Sequence, residues 1–519
     1  MKPYVSVSII VLAAVAVPNV GSSLAAIPDA HIGAKADLRA AREIGDPARA
    51  KAALDAIPAE QWALSISATI LDSALESTDM PSLEALAASG DPRAEQLLGY
   101  ALVEQAKAHS EPADYGMSWL RRAAGQGYAR AENTLGVYYE EGLAVPPDHA
   151  EAARWYGKAA DQGFAPAQFY LGTLYDDGDG VKQDGVEAQR LCRLAAGQGL
   201  ADGQTCLGDR YADGDGVPHD DAQAMAWYRK AADQGDANGQ SKVGKLYADG
   251  QGVRQDIAEA IRWFRKAADQ DDASSQLMLG YYYDTGQGVA VDRVEAAGWY
   301  RKAADQGDAT AQNNLGLYYM DGVGVAQDYA EAMRLFRAAE AQGYTDAQVN
   351  IAYLYDRGFG VARDAHEAMT WYRKAAGHGD GLGEFGMGVY YMDGDGVARD
   401  PVAAMRYYRK AFDHGAFVAA VNIGHLYEAG DGMPRDYAKA MHWYRLAADH
   451  GEVAGQEGVA LLYACGEGVG TDPATARLWM MKAAAGGHDV AQKWLAANPT
   501  GASCERLGSV LRKRLVSPR

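Results

Sequence analysis

Cysteine and positive charge are both scarce in this chain of 519 residues. It has four cysteines, and 49 lysines and arginines stand against 69 aspartates and glutamates, a formal net charge of −20. Proteins that bind nucleic acid neutralise phosphates with clustered lysine and arginine. The charge balance therefore argues against a nucleic-acid partner, and it favours solubility and basic partners.

Familiar catalytic motifs are also missing. The sequence contains no G-x-S-x-G, S-x-x-K, H-E-x-x-H or phosphate-binding loop. Its paired glycines follow helical patterns, whereas a dinucleotide-binding fingerprint follows a strand. We therefore predict no catalytic residues, no cofactor and no enzyme activity.

Long hydrophobic runs are limited to the N-terminus. Lys2 precedes an apolar run over residues 5–17, Pro18 interrupts it, and Ser23-Leu24-Ala25 matches a small-x-small cleavage site. Such a run is short for a bilayer span. Residues 1–25 are thus predicted to be a signal peptide, and no membrane span is expected after its removal; a leader retained as an anchor is the alternative. The expected location is a bacterial periplasm or the exterior.

Glycine, by contrast, is plentiful, with 60 residues, and its spacing shows an internal repeat. A segment close to ADQG-D-A-x-A-Q-x-x-LG-x-Y-Y recurs every 36 residues, with Asp271 in place of one turn glycine. This period predicts one array of stacked units, whatever the chain length suggests. The turn glycines are Gly127, Gly163, Gly199, Gly235, Gly307, Gly343, Gly379, Gly415, Gly451 and Gly487.

Each unit is predicted to contain two helices. The first, helix A, carries A-x-x-x-LG-x-x-Y, as in Ala167, Leu171 and Tyr175, which places these side chains on one face. The glycine after the leucine would let a neighbouring helix approach closely. A D-G-x-G-V loop then ends the helix, because glycine enters left-handed conformations freely.

The second, helix B, is predicted to begin at an aspartate N-cap with a glutamate three residues later, the arrangement of a capping box. It continues as EAxxWYRKAA, whose tryptophans are expected to pack in the core and whose basic pairs complement the helix dipole. The caps are Asp148, Asp184, Asp256, Asp292, Asp328 and Asp364, and the tryptophans are Trp119, Trp155, Trp227, Trp263, Trp299, Trp371, Trp443 and Trp479.

This combined pattern, A-x-x-x-LG-x-x-Y-x-x-G-x-GV-x-x-D-x-x-EAxxWYRKAA-x-QG, resembles the Sel1-like repeat, a relative of the tetratricopeptide repeat. The resemblance implies an all-α, right-handed superhelical α-solenoid of about eleven 36-residue helix–turn–helix repeats over residues 91–497. Residues 26–90 are predicted to form an N-terminal helical cap. Residues 498–519 form a basic C-terminal tail with Arg506, Arg512, Lys513 and Arg514.

The resemblance implies an exported protein–protein interaction scaffold, acting in envelope regulation or exopolysaccharide assembly through an envelope protein or a peptide segment. A carbohydrate- or peptidoglycan-binding module is the main alternative. A β-lactam-binding or hydrolytic Sel1-like protein is a further one, although no nucleophile is identifiable and the regular cysteine pairs of such proteins are absent.

Likeness to tetratricopeptide repeats also implies a binding groove on helix A, at two residues before, two after and five after the leucine of Leu-Gly. In the N-terminal units these positions are polar: Asn133, Glu140, Thr173, Asp176, Thr205, Asp209, Ser241 and Lys245. Further along they are mostly apolar: Leu277, Tyr281, Asn313, Leu317, Met320, Val349, Tyr353, Phe385, Val389 and Met392. The second set is either an exposed partner-binding groove or a set of side chains partly buried between helices.

The cysteines and a column of histidines complete the candidates. Cys192 and Cys206 lie symmetrically about Gly199, so a disulfide between them is plausible, with buried thiols as the alternative. Cys465 and Cys504 can pair only if the tail folds back, and buried thiols are the alternative for this pair too. The histidines at 378, 414 and 450 are predicted to be surface residues at turns, since a metal needs ligand atoms about 2 Å from one centre. No metal site is predicted.

Overall fold

A computed structural model describes residues 51, 54, 80–109, 112–486, 489–497 and 504. The predicted signal peptide, most of the predicted N-terminal cap and the predicted tail apart from Cys504 lie outside the described residues, so these assignments stay predictions. Within the described part of the chain there are 24 α-helices and no strand. The predicted all-α fold of repeated helix pairs is confirmed.

The first three helices precede the regular repeats. They are α1 (Met80–Ala88), α2 (Pro92–His109) and α3 (Asp114–Gly125). From residue 129 onward, helices of type A and type B alternate. The A helices are α4 (Ala129–Glu141), α6 (Ala165–Asp177), α8 (Ala201–Asp213), α10 (Ala237–Asp249), α12 (Ala273–Thr285), α14 (Ala309–Asp321), α16 (Thr345–Arg357), α18 (Gly381–Asp393), α20 (Ala419–Ala429) and α22 (Val453–Cys465).

The B helices follow them in turn. They are α5 (His149–Asp161), α7 (Gly185–Gly197), α9 (Asp221–Asp233), α11 (Ile257–Ala268), α13 (Arg293–Asp305), α15 (Tyr329–Glu340), α17 (Ala365–Gly377), α19 (Pro401–Asp413), α21 (Tyr437–Asp449) and α23 (Pro473–Ala485). A last helix, α24 (Asp489–Ala497), follows α23.

The chain divides into two compact units. The first comprises Met1–Tyr282 and Gly286–Ala290, and the second comprises Tyr283–Thr285 and Val291–Arg519. Both units are built from the same helix pair, so the same local devices recur in each.

The glycine after the helix-A leucine has the packing role that the sequence predicts. A Cβ atom on Gly136 would lie 2.5 Å from Cδ1 of Tyr156, and one on Gly316 would lie 2.6 Å from Cε1 of Phe336. Both distances are below van der Waals contact, so only glycine allows an aromatic ring of helix B to lie against helix A. This prediction is confirmed.

The loop after helix A also contacts the preceding repeat, which the sequence did not reveal. Gly252 has a φ of 66°, in the left-handed region that favours glycine. A Cβ there would lie 2.5 Å from the carbonyl carbon of Asp221, at the start of α9. The second loop glycine therefore does more than end a helix, because it lets the loop lie against the previous helix B. Asp271, which replaces one turn glycine, adopts a φ of 64°.

The predicted aspartate N-caps of helix B are confirmed. The Asp328 carboxylate, for example, accepts hydrogen bonds from the backbone N–H groups of Ala330 and Glu331, and Asp148, Asp184, Asp256, Asp292 and Asp364 cap their helices in the same way. Five of the six glutamates of the predicted capping boxes bind other side chains of their own helix. Glu331 pairs with Arg334 at 2.6 Å, so the glutamate supports the outer face of the helix.

The basic pairs of helix B make specific side-chain contacts in addition to any effect on the helix dipole. Lys302 Nζ lies 4.1 Å from the centroid of the Trp299 ring, a cation–π arrangement. The neighbouring Arg301 donates from Nη2 to the hydroxyl of Tyr319, 2.8 Å away on the following helix A. The lysine thus covers the tryptophan of its own helix, and the arginine links it to the next repeat. Trp263 and Trp299 are buried and the other column tryptophans are half-buried.

Candidate protein-binding face

The candidate face consists of the ten side chains at the groove positions of successive A helices. Two of them, Leu277 and Tyr281, belong to the first unit and are half-buried. The Tyr281 ring lies 5.4 Å from the ring of Tyr282, and its hydroxyl accepts a hydrogen bond of 2.8 Å from Nε2 of Gln287. In this unit, therefore, the aromatic side chain is fixed by its own loop.

The other eight side chains belong to the second unit, and their burial differs. Asn313 and Val389 are buried, with 4% and 9% of their surface exposed. The remaining six are half-buried: Leu317, Met320, Val349, Tyr353, Phe385 and Met392. None of the ten is fully exposed. This agrees with the second alternative from the sequence, in which these side chains are partly buried between helices. That the face binds a partner stays a prediction.

The two aromatic side chains of the second unit show how the face is held. The Tyr353 ring meets Phe359 edge to face at 6.0 Å, and the Arg357 guanidinium lies 5.4 Å from its centroid. The Phe385 ring lies 5.8 Å from that of Tyr408. Each ring is thus positioned by a neighbour and keeps part of its surface in solvent, as a preorganised contact surface requires.

The apolar side chains of this face extend the core. Leu317 and Met320 pack against a buried cluster that contains Phe336 and Ile351. Met392 packs against another buried cluster, to which Val389 belongs. Asn313 accepts a hydrogen bond of 2.9 Å from Nδ2 of Asn350, which joins α14 to α16. Asn313 therefore stabilises the stacking of A helices through its side-chain oxygen.

Two acidic groove positions of the first unit bind side chains of neighbouring helices. The Tyr156 hydroxyl donates to Glu140 at 2.5 Å, and burial raises the pKa of the Glu140 carboxyl above its ordinary value. Asp209 accepts hydrogen bonds of 2.7 Å from the hydroxyl of Tyr228 and from Nζ of Lys242. These carboxylates hold helices together within the unit.

Asp176 is one of two solvent-accessible carboxylates that bind a buried arginine. The guanidinium of Arg210, of which 5% of the surface is exposed, lies 2.5 Å from Oδ2 of Asp176 and also binds Asp215. The remaining polar positions differ in burial: Asn133 and Thr205 are buried, Thr173 and Ser241 are half-buried, and Lys245 is exposed. The predicted polar stretch is therefore mainly a set of internal links.

A carboxyl outside the predicted set is the most strongly perturbed acid in this unit. Asp202, near the start of α8, has its pKa raised from 3.8 to about 6, first by burial and second by the negative charge of Asp236. Burial also raises the pKa of Asp236, the N-cap of α10. Neighbouring repeats thus place like charges close together.

The three histidines at turns are exposed, as predicted, but two of them have partners that sequence reasoning missed. His414 Nδ1 lies 2.8 Å from Oε2 of Glu384, whose side chain is 3% exposed. The His450 ring stacks on that of Phe417 with centroids 3.7 Å apart. The sequence does contain a signal for both contacts, because most other repeats carry Gln at the position of Glu384 and Ala at the position of Phe417.

Both cysteine pairs are joined in the structure. Cys192 on α7 and Cys206 on α8 form one disulfide, with their Cα atoms 5.9 Å apart. Cys465, the last residue of α22, is joined to Cys504, with Cα atoms 4.5 Å apart. The first bond ties the two helices on either side of the turn at Gly199.

Two further properties concern only the described part of the chain. No group of three or more histidine, cysteine, aspartate or glutamate side chains there is arranged to hold a metal ion. None of the helices described is both long enough and apolar enough to cross a membrane.

Comparison with known proteins identifies the repeat. The model of the Sel1 repeat family matches ten consecutive segments between residues 129 and 488, including 165–200, 309–344 and 453–488. At the eighth and ninth matches, 382–415 and 418–452, residues 416 and 417 fall between the segments, next to the Phe417–His450 contact. The predicted eleventh unit, formed by α2 and α3, precedes the first match. No curated protein sequence matches the chain.

A solved structure agrees with this assignment. It is the structure of c5321, a protective antigen present in uropathogenic Escherichia coli strains and displaying an SLR fold. Its sequence is 33% identical to this chain, and the match covers 85% of this chain and 94% of c5321, with a TM-score of 0.64. A Sel1 repeat protein from Oxalobacter formigenes is 34% identical over 60% of this chain and 91% of its own, with a TM-score of 0.42. The chain therefore belongs to the Sel1 repeat family.

Proposed function

We propose that this protein is an exported scaffold of the bacterial envelope, which binds a protein partner along the A helices of its second unit. The observation that carries the proposal is the row of six half-buried apolar side chains on α14, α16 and α18. Apolar and aromatic side chains held in place but not fully covered are typical of the core of a protein interface. The Sel1 repeat fold itself is typical of proteins that bind and do not catalyse.

Three features support export. The N-terminal 25 residues have the pattern of a secretory signal. The structure joins all four cysteines in two disulfides, and such bonds persist mainly in oxidising compartments such as the periplasm. The solved relative from uropathogenic E. coli is described as a protective antigen, a description that fits an exported protein. A role in envelope regulation or exopolysaccharide assembly fits this location.

The charge of the protein indicates what kind of partner it favours. With a net charge of −20, long-range attraction speeds the approach of a basic protein or peptide and slows that of an acidic one. We therefore expect a partner that combines a basic surface with apolar side chains for the α14–α18 face.

The test is a crosslinking pulldown of the mature protein from cells of the source organism, followed by mass spectrometry. Replacing Tyr353 and Phe385 with serine removes the two aromatic contacts of the face. A matched control replaces Val294 and Val402 with serine, because these side chains of the same unit are 70% and 53% exposed on B helices. Thermal unfolding of both variants shows whether the fold is retained.

The proposal predicts a defined envelope protein that co-purifies with the wild type and with the Val294/Val402 variant but is lost from the Tyr353/Phe385 variant. Equal recovery with a folded Tyr353/Phe385 variant contradicts the proposed face. Recovery of glycan or peptidoglycan fragments alone contradicts the scaffold and supports a carbohydrate-binding module instead.

A further inference from the structure

The disulfide between Cys465 and Cys504 lies at the C-terminal end of the described chain. Cys465 is the last residue of α22, and Cys504 is 39 residues further on. Helices α23 and α24 lie between them in sequence, so this single covalent bond closes the last two helices into a loop. The other disulfide spans only 14 residues, between adjacent helices within the repeat array.

The helix inside this loop depends on its surroundings. Helix α24 has nine residues, and an isolated helix shorter than about 12 residues is marginal in water. Its buried side chains are Ala491 and Trp494, which are 0% and 5% exposed, and Leu495 packs beside them. They pack in one cluster with Leu461 and Met480, and Cys465 packs against the same cluster. The disulfide and the cluster therefore hold the same helix.

The two disulfides differ in how easily a reductant reaches them. Reduction begins when a thiolate attacks one of the two sulfur atoms, so it depends on access. Cys192 is fully buried within α7 and Cys206 is half-buried on α8, so only one sulfur of this pair lies near the surface. The two helices have 13 residues each and lie inside the array, with repeats before and after them. Both Cys465 and Cys504 are half-buried, at the end of the array. Fraying is also easiest at an end.

We infer that the Cys465–Cys504 disulfide is a redox-sensitive latch that keeps α24 closed on the last repeat, whereas Cys192–Cys206 is a permanent link. The reductant is a dithiol. One of its thiolates attacks one sulfur of the pair, which forms a mixed disulfide and releases the other cysteine as a thiolate. The second thiol of the reductant then displaces the bound cysteine.

In the balanced reaction the protein disulfide takes up two electrons and two protons to give two thiols, and the dithiol becomes a disulfide. Without the covalent bond, α24 is held by the packing of Ala491 and Trp494 and by contacts such as the 3.1 Å hydrogen bond from Gln492 Nε2 to the Ala484 carbonyl. Opening of α24 then becomes frequent and uncovers Leu461 and Met480.

The test follows both bonds in the intact protein during graded reduction with dithiothreitol. Thiols are alkylated at intervals and identified by mass spectrometry, and amide hydrogen exchange is measured in α24 and in α7. Cys465 and Cys504 should be alkylated on the order of tenfold faster than Cys192 and Cys206. Exchange in α24 should rise on the order of tenfold once the first bond is reduced, and exchange in α7 should not change.

Two double variants complete the test. Cys465→Ser with Cys504→Ser should show the fast exchange of α24 without reductant, and Cys192→Ser with Cys206→Ser should keep α24 protected. Circular dichroism shows whether each variant is folded. If a variant does not fold, reduction of the wild-type protein still measures exchange in α24 without its disulfide. Reduction of both bonds at one rate, or of Cys192–Cys206 first, overturns the inference. Unchanged protection of α24 after its bond is reduced also overturns it.

Discussion

His414 Nδ1 lies 2.8 Å from Oε2 of Glu384, in the place where Gln342 Nε2 donates to Oε1 of Gln312 at 3.0 Å in another repeat. Both pairs join the C-terminus of a helix B to the helix A before it, 30 residues earlier. One repeat has therefore replaced a neutral amide pair with two ionisable groups at the same site.

We expect His414→Ala to lower the free energy of unfolding by about 1 to 3 kcal/mol, because it leaves the buried Glu384 carboxylate without this partner. The double change Glu384→Gln with His414→Gln should recover most of that loss, since it recreates the amide pair. Urea unfolding of the variants in a double-mutant cycle measures this. His378→Ala, at an exposed turn, is the control and should change stability by less than about 0.5 kcal/mol. If the double variant did not regain stability, the residues at 384 and 414 would contribute to stability independently of each other.

The raised pKa of Asp202 predicts how stability depends on pH. In the unfolded chain this carboxyl has a pKa near 3.8, and in the folded protein it is about 6. The folded state therefore holds the proton more tightly, so this group contributes more stability as pH falls from about 6 to about 4. Asp202→Asn should raise the free energy of unfolding at pH 7 by about 1 to 2 kcal/mol and flatten the dependence in that range.

Urea unfolding between pH 4 and 7 measures this effect. Asp213→Asn is the control, because Asp213 is an exposed side chain on the same helix. Equal pH profiles for the wild type and Asp202→Asn would contradict the assignment.

Two glycines in helices of the second unit make a matched pair. A Cβ on Gly388 would lie 2.5 Å from Cε1 of Tyr408, whereas one on Gly298 would have no atom within 4 Å. Gly388→Ala should therefore destabilise the protein by about 1 to 3 kcal/mol through overpacking. Gly298→Ala should stabilise it by up to about 1 kcal/mol, since alanine favours a helix over glycine. Thermal unfolding distinguishes the two, and similar shifts of the same sign would contradict the close approach.

The N-cap of α15 offers a fourth test. Asp328→Ala removes the acceptor for the Ala330 and Glu331 N–H groups and should cost about 1 kcal/mol, with faster hydrogen exchange in the first turn of α15. Asp305→Ala is the comparison, because this exposed carboxylate lies at the C-terminal end of α13. Removing a negative charge from the C-terminal end of a helix should leave stability unchanged or raise it slightly. A loss of stability at Asp305 as large as at Asp328 would contradict the capping assignment.

The sequence was sufficient to predict the helix pair and most of its local devices. Aspartate caps such as Asp328 and the close approach at Gly136 were predictable, because each depends on a pattern that recurs every 36 residues. The side chains of the candidate face could be named from their register, since helical periodicity decides which residues share a face.

How deeply each side chain of that face is buried could not be predicted from its position in the repeat. Val389 is buried and Phe385 half-buried, although both occupy groove positions, because burial depends on the side chains that neighbouring helices present. The same holds for Arg301, which donates to the hydroxyl of Tyr319 in the next repeat. It also holds for the Glu140 and Asp209 carboxylates, which accept hydrogen bonds from tyrosine hydroxyls. These are contacts between helices, and single residues in neighbouring repeats decide their chemistry.

The sequence by itself thus determined the period, the helices, their caps and the family, because local propensity and a repeated pattern reinforce one another in every unit. Only the tertiary structure decided that Glu384 faces His414, that Asp202 lies near Asp236 and that Cys465 reaches Cys504. Those pairs are 30, 34 and 39 residues apart, and the packing of helices side by side, not the pattern along any one of them, brings them together.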